Sequence, residues 1–324
     1  MINFMNTIHG CAKTYQYFLA LCLTVIFVAS CSQPVRRDGE KKVEALPNNM
    51  DGMPDIKKRL WIFEPKAPAV IPEGIQFQKI KNKLHGLLLN EFPKEPSPYL
   101  VQGLEDIEVF KSSGLESMAD AKGISKALKG SDITGFVFSQ ITQIEVKVDA
   151  KTKEGLLRKK VHTLQMTFHV ELHDVGGARK VAERDFIENY SETRSEVLGL
   201  TDSESIPDPD SRMIELFPAL VTKVRNWAQA FAPKLAWYGR VLRVDGGRIF
   251  LSAGKTSGLL VGDVLKVLES PKDVIDPQTG IFMGLAPGRM KGTVKIVQYF
   301  GADGAIAILQ SGGNISPDDR VELY

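Results

Sequence analysis

The sequence predicts an α+β protein in which an α/β module, with the element order β-α-β-α-β-β-β-α, precedes a small, barrel-like all-β domain. Between residues 57 and 235, apolar residues at helical spacing alternate with short apolar runs typical of strands. From residue 236 onward no helical stripe occurs, and glycine-rich turns separate the short apolar runs. The 324 residues are 43% hydrophobic, which suits about two domains with buried cores.

The charge balance argues against a nucleic-acid-binding protein. Lys and Arg number 41 against 39 Asp and Glu, so the formal net charge is only +2. A nucleic-acid-binding domain normally carries a strongly basic face with clustered cations. We therefore expect no nucleic-acid partner.

Residues 1–30 have the composition of a secretory signal peptide. They contain one Lys (Lys13), no Arg and no acidic residue, and Phe18 to Ala29 is an apolar run interrupted only by Thr24. A basic start, a short apolar middle and a small-residue end are typical of such signals, and the run is short for a bilayer span. An uncleaved membrane anchor is the alternative.

The end of this run, Val28-Ala29-Ser30-Cys31, resembles the lipobox of bacterial lipoproteins. The resemblance implies a diacylglyceryl group on the sulfur of Cys31, cleavage just before that residue, and acylation of the new amine, with palmitate as a typical acyl chain. Cysteine usage agrees, because Cys11 and Cys22 lie within the signal and Cys31 is the one thiol that cleavage leaves. Ser32, which is not Asp, implies outer-membrane sorting in the enterobacterial pattern.

Residues 31–56 are predicted to form a flexible tether behind the lipidated cysteine. They are polar, carry mixed charges and contain turn-forming Pro, Asn and Gly without an apolar period. A chain of about 25 residues has a root-mean-square reach of roughly 25–30 Å, enough to hold a folded body beside a membrane. The expected location is therefore the periplasmic face of the outer membrane, with the covalent lipid as the membrane contact.

The α/β module spans residues 57–235, and its first half is expected to alternate strands and helices. Arg59 to Phe63 reads as a short strand, and Tyr99 to Phe110 reads as extended. Two amphipathic helices are predicted from apolar residues at helical spacing. They are Phe77, Ile80, Leu84, Leu87 and Leu88 in the first helix, and Leu115, Met118, Ala119, Ile124, Ala127 and Leu128 in the second.

Three strands and a closing helix follow. The apolar face changes at Thr142-Gln143, which predicts a β-bulge in the first of these strands. The second strand alternates apolar and polar residues, and a third, from Val181 to Tyr190, follows a turn at Val175-Gly176-Gly177. An apolar stripe from Phe217 to Phe231 predicts the closing helix, with Pro218 in its first turn.

Residues 236–324 are predicted to form a β-rich domain of barrel or sandwich type, since short strands at regular spacing alternate with turn signals. The turn signals are Asp245-Gly246-Gly247, Gly258, Gly262-Asp263, Asp276-Pro277-Gln278-Thr279-Gly280 and Gly301-Ala302-Asp303-Gly304. One further stretch, Ser252–Asp263, contains a Gly-Lys-Thr sequence that invites comparison with a phosphate-binding P-loop. A P-loop needs a glycine five residues before its Gly-Lys pair and a helix after it. Ile249 holds that first position, so we expect a turn and no cofactor.

His169, Glu171 and His173 share one face of a strand, because alternate residues point the same way. Both residue types can bind zinc, but alternate residues on a strand lie roughly 6.5–7 Å apart, too far for three of them to reach one tetrahedral ion. The sequence therefore predicts a solvated strand face without a metal site. No G-x-S-x-G motif occurs and no cysteine follows Cys31, so no catalytic residue is predicted and we expect no enzyme.

Residues Tyr238–Leu309 resemble the C-terminal domain of flagellar assembly protein T. The residues that carry the resemblance are Gly239-Arg240-Val241, Arg248-Ile249-Phe250-Leu251, Gly254, Gly258-Leu259-Leu260-Val261-Gly262-Asp263, Val264-Leu265-Lys266-Val267, Asp276-Pro277, Thr279-Gly280, Gly284 and Gly292-Thr293-Val294-Lys295-Ile296. Pro317 to Val321 stands where that family often has a Gly-Asp pair.

The preceding region, residues 57–234, is similar to an α/β module shared by several bacterial envelope proteins. These are the middle domain of the same flagellar protein, the N-terminal domain of TolB, the curli-secretion pore lipoprotein and the lipoprotein activators of peptidoglycan synthases. The similarity rests on element order and on the stretches Ser131–Gly135 and Val170–Val175. Shared topology implies fold, and function borrowed from it is analogy.

Three functions remain open at this point. The two resemblances imply a non-catalytic, lipid-anchored assembly component of a flagellar basal-body ring or similar envelope machine, with a module that forms homo-oligomers and a β domain that contacts a partner. A regulator of a peptidoglycan synthase is the alternative. A curli-type secretion pore is disfavoured, because Lys147 and Lys160 fall within the strands that would have to line a membrane hairpin.

Overall fold

The structure is a computed structural model that describes residues 56–102, 121–154, 157–197, 206 and 208–324. Ser30, Cys31, the predicted signal peptide and all of the predicted tether except Ile56 lie outside these residues, as do parts of the predicted second strand and second helix. All described residues belong to one compact unit. Within them, no helix is both long enough and apolar enough to cross a bilayer.

Residues 58–234, called the sheet module below, contain strands and helices in the predicted order, which confirms the α+β fold class. The elements are β1 Lys58–Ile62, α1 Phe77–Glu91, β2 Tyr99–Gln102, α2 Ala121–Ala127, β3 Gly135–Glu154, β4 Leu157–Asp174, β5 Arg179–Val197, α3 Pro209–Ala230 and a 3-10 turn at Ala232–Lys234. β5 is longer than predicted, because pairing with β4 along its whole length keeps its polar outer end extended.

The sheet has five strands in the order β2-β1-β3-β4-β5. β1 pairs in parallel with β2 and β3, whereas β3, β4 and β5 form an antiparallel meander. The register of β3 against β4 shifts between Ile141 and Gln143, which confirms the predicted bulge. The predicted turn at Val175-Gly176-Gly177 is confirmed between β4 and β5.

One face of the sheet forms the main core with α1 and α3. Leu60, Val137 and Phe168 from the strands are fully buried there, together with Leu84 from α1 and Val224 from α3. Tyr99 of β2 links this core to α3, because its hydroxyl donates to the carbonyl of Ala228 at 2.5 Å. Burying each large apolar side chain contributes about 1.5–3 kcal/mol, so this face stabilises the module.

Helix α3 begins eight residues earlier than the predicted first turn around Phe217. Asp208 caps it by accepting from the backbone N–H of Ser211 at 3.3 Å, and Pro209 occupies the first turn. The placement of Pro218 in the first turn was therefore wrong. Pro218 lies within the helix on its exposed side, where water can satisfy the carbonyl that loses its helical donor.

Six strands between residues 239 and 323 form a closed barrel, called the barrel below. They are β6 Gly239–Asp245, β7 Arg248–Leu251, β8 Val264–Leu268, β11 Met290–Phe300, β12 Gly304–Gly312 and β13 Arg320–Leu323, and their order around the barrel is β11-β12-β7-β6-β13-β8. Between β8 and β11, strands β9 Lys272–Ile275 and β10 Phe282–Ala286 form a separate two-stranded hairpin, called the hairpin below. β13 pairs with both β6 and β8, so Arg320 and Val321 help to close the barrel.

Candidate functional site

The Gly-Lys-Thr stretch forms the predicted turn. It lies where the barrel contacts the sheet module, at Arg59, Ser252 and Asp303, and this contact is called the seam below. The backbone N–H groups of Gly254 and Ser257 both donate to Oδ1 of Asp303, each at 2.9 Å, and the Ser257 hydroxyl donates to Oδ2. A Cβ at Gly254 would lie 2.5 Å from the carbonyl oxygen of Gly304, so only glycine fits this close approach. The amides that a phosphate would need are thus engaged by a carboxylate of the chain itself.

Arg59 of β1 joins this turn to the sheet module. Its guanidinium donates to Oδ2 of Asp303 at 2.9 Å and to the Ser252 carbonyl at 2.7 Å, and it also pairs with Asp132. The side chains of the three charged residues are each only 14% exposed. Burial by itself would raise the pKa of Asp303, but hydrogen bonds from Ser257 and the charge of Arg59 outweigh it, and the pKa is lowered.

A second group of contacts holds the seam on the side of β13. The Tyr238 hydroxyl donates to the carbonyl of Ile133, and burial raises the pKa of that phenol. The guanidinium of Arg320 lies 3.9 Å from the centre of the Tyr238 ring, and Arg240 donates to the Gly130 carbonyl at 2.8 Å. Polar contacts of Tyr238 and Arg240, together with the stacking of Arg320, thus hold the seam on this side.

A cleft opens at the seam among Lys129, Gly176, Tyr238, Arg240 and Arg320. Its three cations all have acidic partners within the described residues. Lys129 pairs with Asp273 at 2.7 Å, Arg240 with Asp318 at 3.3 Å, and Arg320 with Glu322 at 2.7 Å. With its positive charges already paired, the cleft does not indicate an anionic ligand.

Exposed apolar side chains concentrate on the barrel. Of seventeen large exposed apolar side chains among the described residues, four belong to the sheet module and thirteen follow residue 238. Those of the hairpin are Val274, Ile275, Ile281 and Met283, with exposed fractions of 43–56%. Exposed apolar groups that occur together indicate an interaction surface, whereas single ones are ordinary.

The hairpin is attached to the sheet module through helix α2. Asp273 of β9 pairs with Lys129 just after that helix, and the ammonium of Lys126 lies 5.7 Å from the centre of the Phe282 ring. These contacts engage Asp273 and Phe282 and leave Val274, Ile275, Ile281 and Met283 exposed.

A cluster of ionisable groups lies on the other face of the sheet, at the β4–β5 hairpin. It consists of His169, Glu171 and His173 on β4 and Lys180, Glu183 and Asp185 on β5, and is called the β4–β5 cluster below. The expectation that this face is solvated was wrong for His173. That ring is only 3% exposed because it stacks on Phe136, with ring centres 4.6 Å apart and planes 6° apart.

The neighbouring strand adds groups that the sequence had not placed here. The register sets Glu183 opposite Glu171 and Asp185 opposite His169. Nδ1 of His169 lies 2.7 Å from Oδ1 of Asp185, and Nε2 of His173 lies 2.7 Å from Oε2 of Glu171. The ammonium of Lys180 donates to Glu171 at 3.1 Å and also to Glu183. The turn at Val175–Gly177 was the signal that could have predicted this register.

Electrostatics hold the central carboxylate of the cluster ionised. Burial opposes the charged form of Glu171, but hydrogen bonds from His173, Lys180 and His169 lower its pKa to about 2. Burial also disfavours the charged form of His169, yet its bonds to Asp185 and Glu171 raise its pKa. Burial lowers the pKa of His173. The cluster therefore presents a fixed negative charge that is suited to a cation.

Comparisons with known proteins find partial structural likeness only. No family model and no curated protein matches the chain. Among solved structures, a hypothetical protein from Chlamydia trachomatis is 8% identical with a TM-score of 0.33, covering 54% of this chain and 98% of its own. A lipoprotein from Neisseria meningitidis is 15% identical with a TM-score of 0.28, covering 52% of this chain and 99% of its own.

A minor lipoprotein from Acinetobacter baumannii is similar in the same partial way. It is 12% identical with a TM-score of 0.26, covering 56% of this chain and 95% of its own. Two of these three neighbours are bacterial lipoproteins. Scores this far below 0.5 do not establish a common fold, so the functional argument rests on the residues of this chain.

Proposed function

We propose that this protein is a lipid-anchored, non-catalytic assembly component of a bacterial envelope machine, in which the barrel contacts the partner. The observation that carries the proposal is the concentration of exposed apolar side chains on the barrel and its hairpin. The sequence resemblance to the C-terminal domain of flagellar assembly protein T supports a flagellar basal-body ring as that machine. A regulator that used only the sheet module would leave this apolar surface without a role.

The anchor in this proposal is Cys31, followed by the tether that ends at Ile56. Ile56 packs against the barrel core, and the next residue, Lys57, donates its backbone N–H to the carbonyl of Ser257 at 3.0 Å. The tether therefore joins the folded body beside the loop that carries Leu260 and Val261, which are 52% and 55% exposed. A short tether that joins the body here keeps the barrel close to the leaflet.

The anchor is tested with Cys31→Ala in cells fed labelled palmitate. We expect this variant to lose the label and to keep its signal peptide, because the Cys31 sulfur and the amine that cleavage creates are the acylation sites. Cys22→Ala is the matched control, since Cys22 belongs to the predicted signal and should not carry lipid. A Cys31→Ala protein that still takes up the label, or that is cleaved at the same rate as wild type, would disprove the anchor.

The partner surface is tested with the double substitution Ile281→Ser and Met283→Ser on the hairpin. Both side chains are 56% exposed, and the control Ile187→Ser replaces a 53% exposed side chain on the sheet module. In-cell crosslinking followed by mass spectrometry should show loss of ring-protein crosslinks with the hairpin variant only. Loss with Ile187→Ser and not with the hairpin variant would favour the regulator of a peptidoglycan synthase.

The flagellar version has its own test, which is disruption of the gene. We expect incomplete basal-body rings and reduced motility. Normal rings with full motility would contradict a flagellar role. The anchor and the hairpin surface would still be tested by their own experiments.

A further inference from the structure

We propose that the β4–β5 cluster binds a divalent first-row transition-metal ion through Nε2 of His169 and the carboxylates of Glu171 and Glu183. In the structure the ligand atoms of these three side chains all lie within 4.8 Å of one another. Zinc bonds to nitrogen and oxygen are about 2.0–2.2 Å long, so tetrahedral ligand atoms lie roughly 3.3–3.5 Å apart. Small rotations of the three side chains bring their ligand atoms to the spacing that a tetrahedral ion requires.

The spacing objection from the sequence does not apply to this set of ligands. Three alternate residues on one strand lie too far apart to bind one tetrahedral ion. Glu183, however, comes from the adjacent strand and lies directly opposite Glu171. Directly opposed residues have Cβ atoms about 4.5–5.5 Å apart, less than the distance along a strand. His169 and Glu171 supply two ligands from β4, and β5 supplies the third.

The groups around these ligands have the arrangement of a metal site. Oδ1 of Asp185 accepts from Nδ1–H of His169 at 2.7 Å, so Nε2, which lies 3.4 Å from Glu171, is the nitrogen that binds an ion once it releases its proton. A carboxylate that fixes the tautomer of a ligating histidine in this way is a regular feature of metal sites.

Glu171 is positioned in the same manner by a buried group. Nε2–H of His173 donates to its Oε2 at 2.7 Å, while Nδ1 of His173 has no hydrogen-bond partner among the described residues. His173 is held against Phe136, so its N–H keeps one carboxylate oxygen fixed, while the other, Oε1, faces the ammonium of Lys180 at 3.1 Å. Both ligands on β4 are therefore preorganised.

A cation already occupies the centre of the cluster. The Lys180 ammonium lies 3.1 Å from Oε1 of Glu171 and also pairs with Glu183, so it bridges two of the three proposed ligands. The side chain of Lys180 is 42% exposed and can swing away. A divalent ion with three ligands would displace this single charge, and water would complete its coordination.

The test uses the full chain in detergent, without a histidine tag and with its thiols alkylated, titrated with Zn²⁺ by calorimetry and with Co²⁺ by visible absorption. We expect one ion per chain and the intense bands of tetrahedral Co²⁺. Glu183→Gln and His169→Ala should each weaken binding more than about tenfold, and Asp185→Asn about 10–100-fold through orientation of His169. Glu215→Gln on α3, with an equally exposed carboxylate, is the matched control.

Lys180→Gln separates a metal site from a merely structural cluster. It removes the competing ammonium, so we expect tighter metal binding together with a less stable metal-free protein. Circular dichroism and thermal melts identify any variant that fails to fold, and Lys180→Gln keeps the idea testable if His169→Ala does not fold. Absence of stoichiometric binding, or equal binding by wild type and Glu183→Gln, would overturn the proposal without bearing on the anchor or the hairpin surface.

Discussion

The sheet module and the barrel cover their apolar residues in different ways. In the module, α1 and α3 lie over one face of the sheet, so side chains such as Leu60 and Val170 are fully buried between layers. The barrel buries Val241, Leu265 and Val294 by closing on itself, which leaves its outer surface without covering helices. A closed barrel can therefore expose apolar side chains on its outer surface without weakening its core.

The seam joins the sheet module and the barrel into one unit. Substitutions in the two cores test whether the parts unfold together, and they have the largest expected effect on the free energy of unfolding. Phe168→Ala in the module and Leu265→Ala in the barrel remove fully buried side chains. We expect losses of about 3–5 kcal/mol and 2–5 kcal/mol in the free energy of unfolding. Urea unfolding followed by tryptophan fluorescence should show a single transition that both variants shift. Two transitions, each shifted by one variant alone, would show that the parts unfold independently.

Substitution of Arg59 tests the seam itself. Arg59→Met leaves Asp132 and Asp303, both largely buried, without their cationic partner. Removing one member of a buried ion pair is strongly destabilising, and we expect a loss of about 3 kcal/mol. Arg243→Met is the control, because Arg243 and its partner Asp245 are exposed and the effect there should stay within about 1 kcal/mol. Equal melting temperatures for the two variants would mean that Arg59 does not hold the seam.

Lowering the pH should reveal a smaller contribution of the β4–β5 cluster to the free energy of unfolding. The folded-state pKa of Glu171 is lowered from 4.5 to about 2, so its stabilising contacts are fully present above pH 4.5 and are lost as the pH falls toward 2. In Glu171→Gln the metal-free protein should lose less stability across this interval than wild type. The measurement is the free energy of unfolding against pH. Parallel curves for the two proteins would contradict the lowered pKa.

Local patterns predicted much of the fold. The order of strands and helices, the bulge at Thr142-Gln143 and the Gly-Lys-Thr turn follow from periodicity and turn chemistry, which act over a few residues. The start of α3 was missed because Pro218 resembles a helix start, although Met213 already continues the apolar stripe toward the N-terminus. Burial of His173 was missed because Phe136, which covers it, belongs to another strand.

The β4–β5 cluster and the Arg59–Asp303 contact depend on pairings that the sequence reveals only in part. Glu183 and Asp185 are unremarkable polar residues until the register of β5 against β4 sets them opposite Glu171 and His169. Arg59 and Asp303 are separated by 244 residues, and no local pattern links them. The turn at residues 175–177 constrains the register of β5 against β4, whereas the Arg59–Asp303 pair is found only in the packed structure.

The sequence by itself determined the α+β class, the order of the elements and the turn at residues 255–258, whereas the lipobox that ends at Cys31 stays a prediction. These depend on spacing, side-chain type and short motifs, all of which are local along the chain. The tertiary structure alone decided that Asp303 accepts from the backbone amides at that turn, that thirteen of the seventeen large exposed apolar side chains of the described residues follow residue 238, and that β4 and β5 together form the β4–β5 cluster. Each of these results from residues distant in sequence, which are brought together by burial of the core and by strand register.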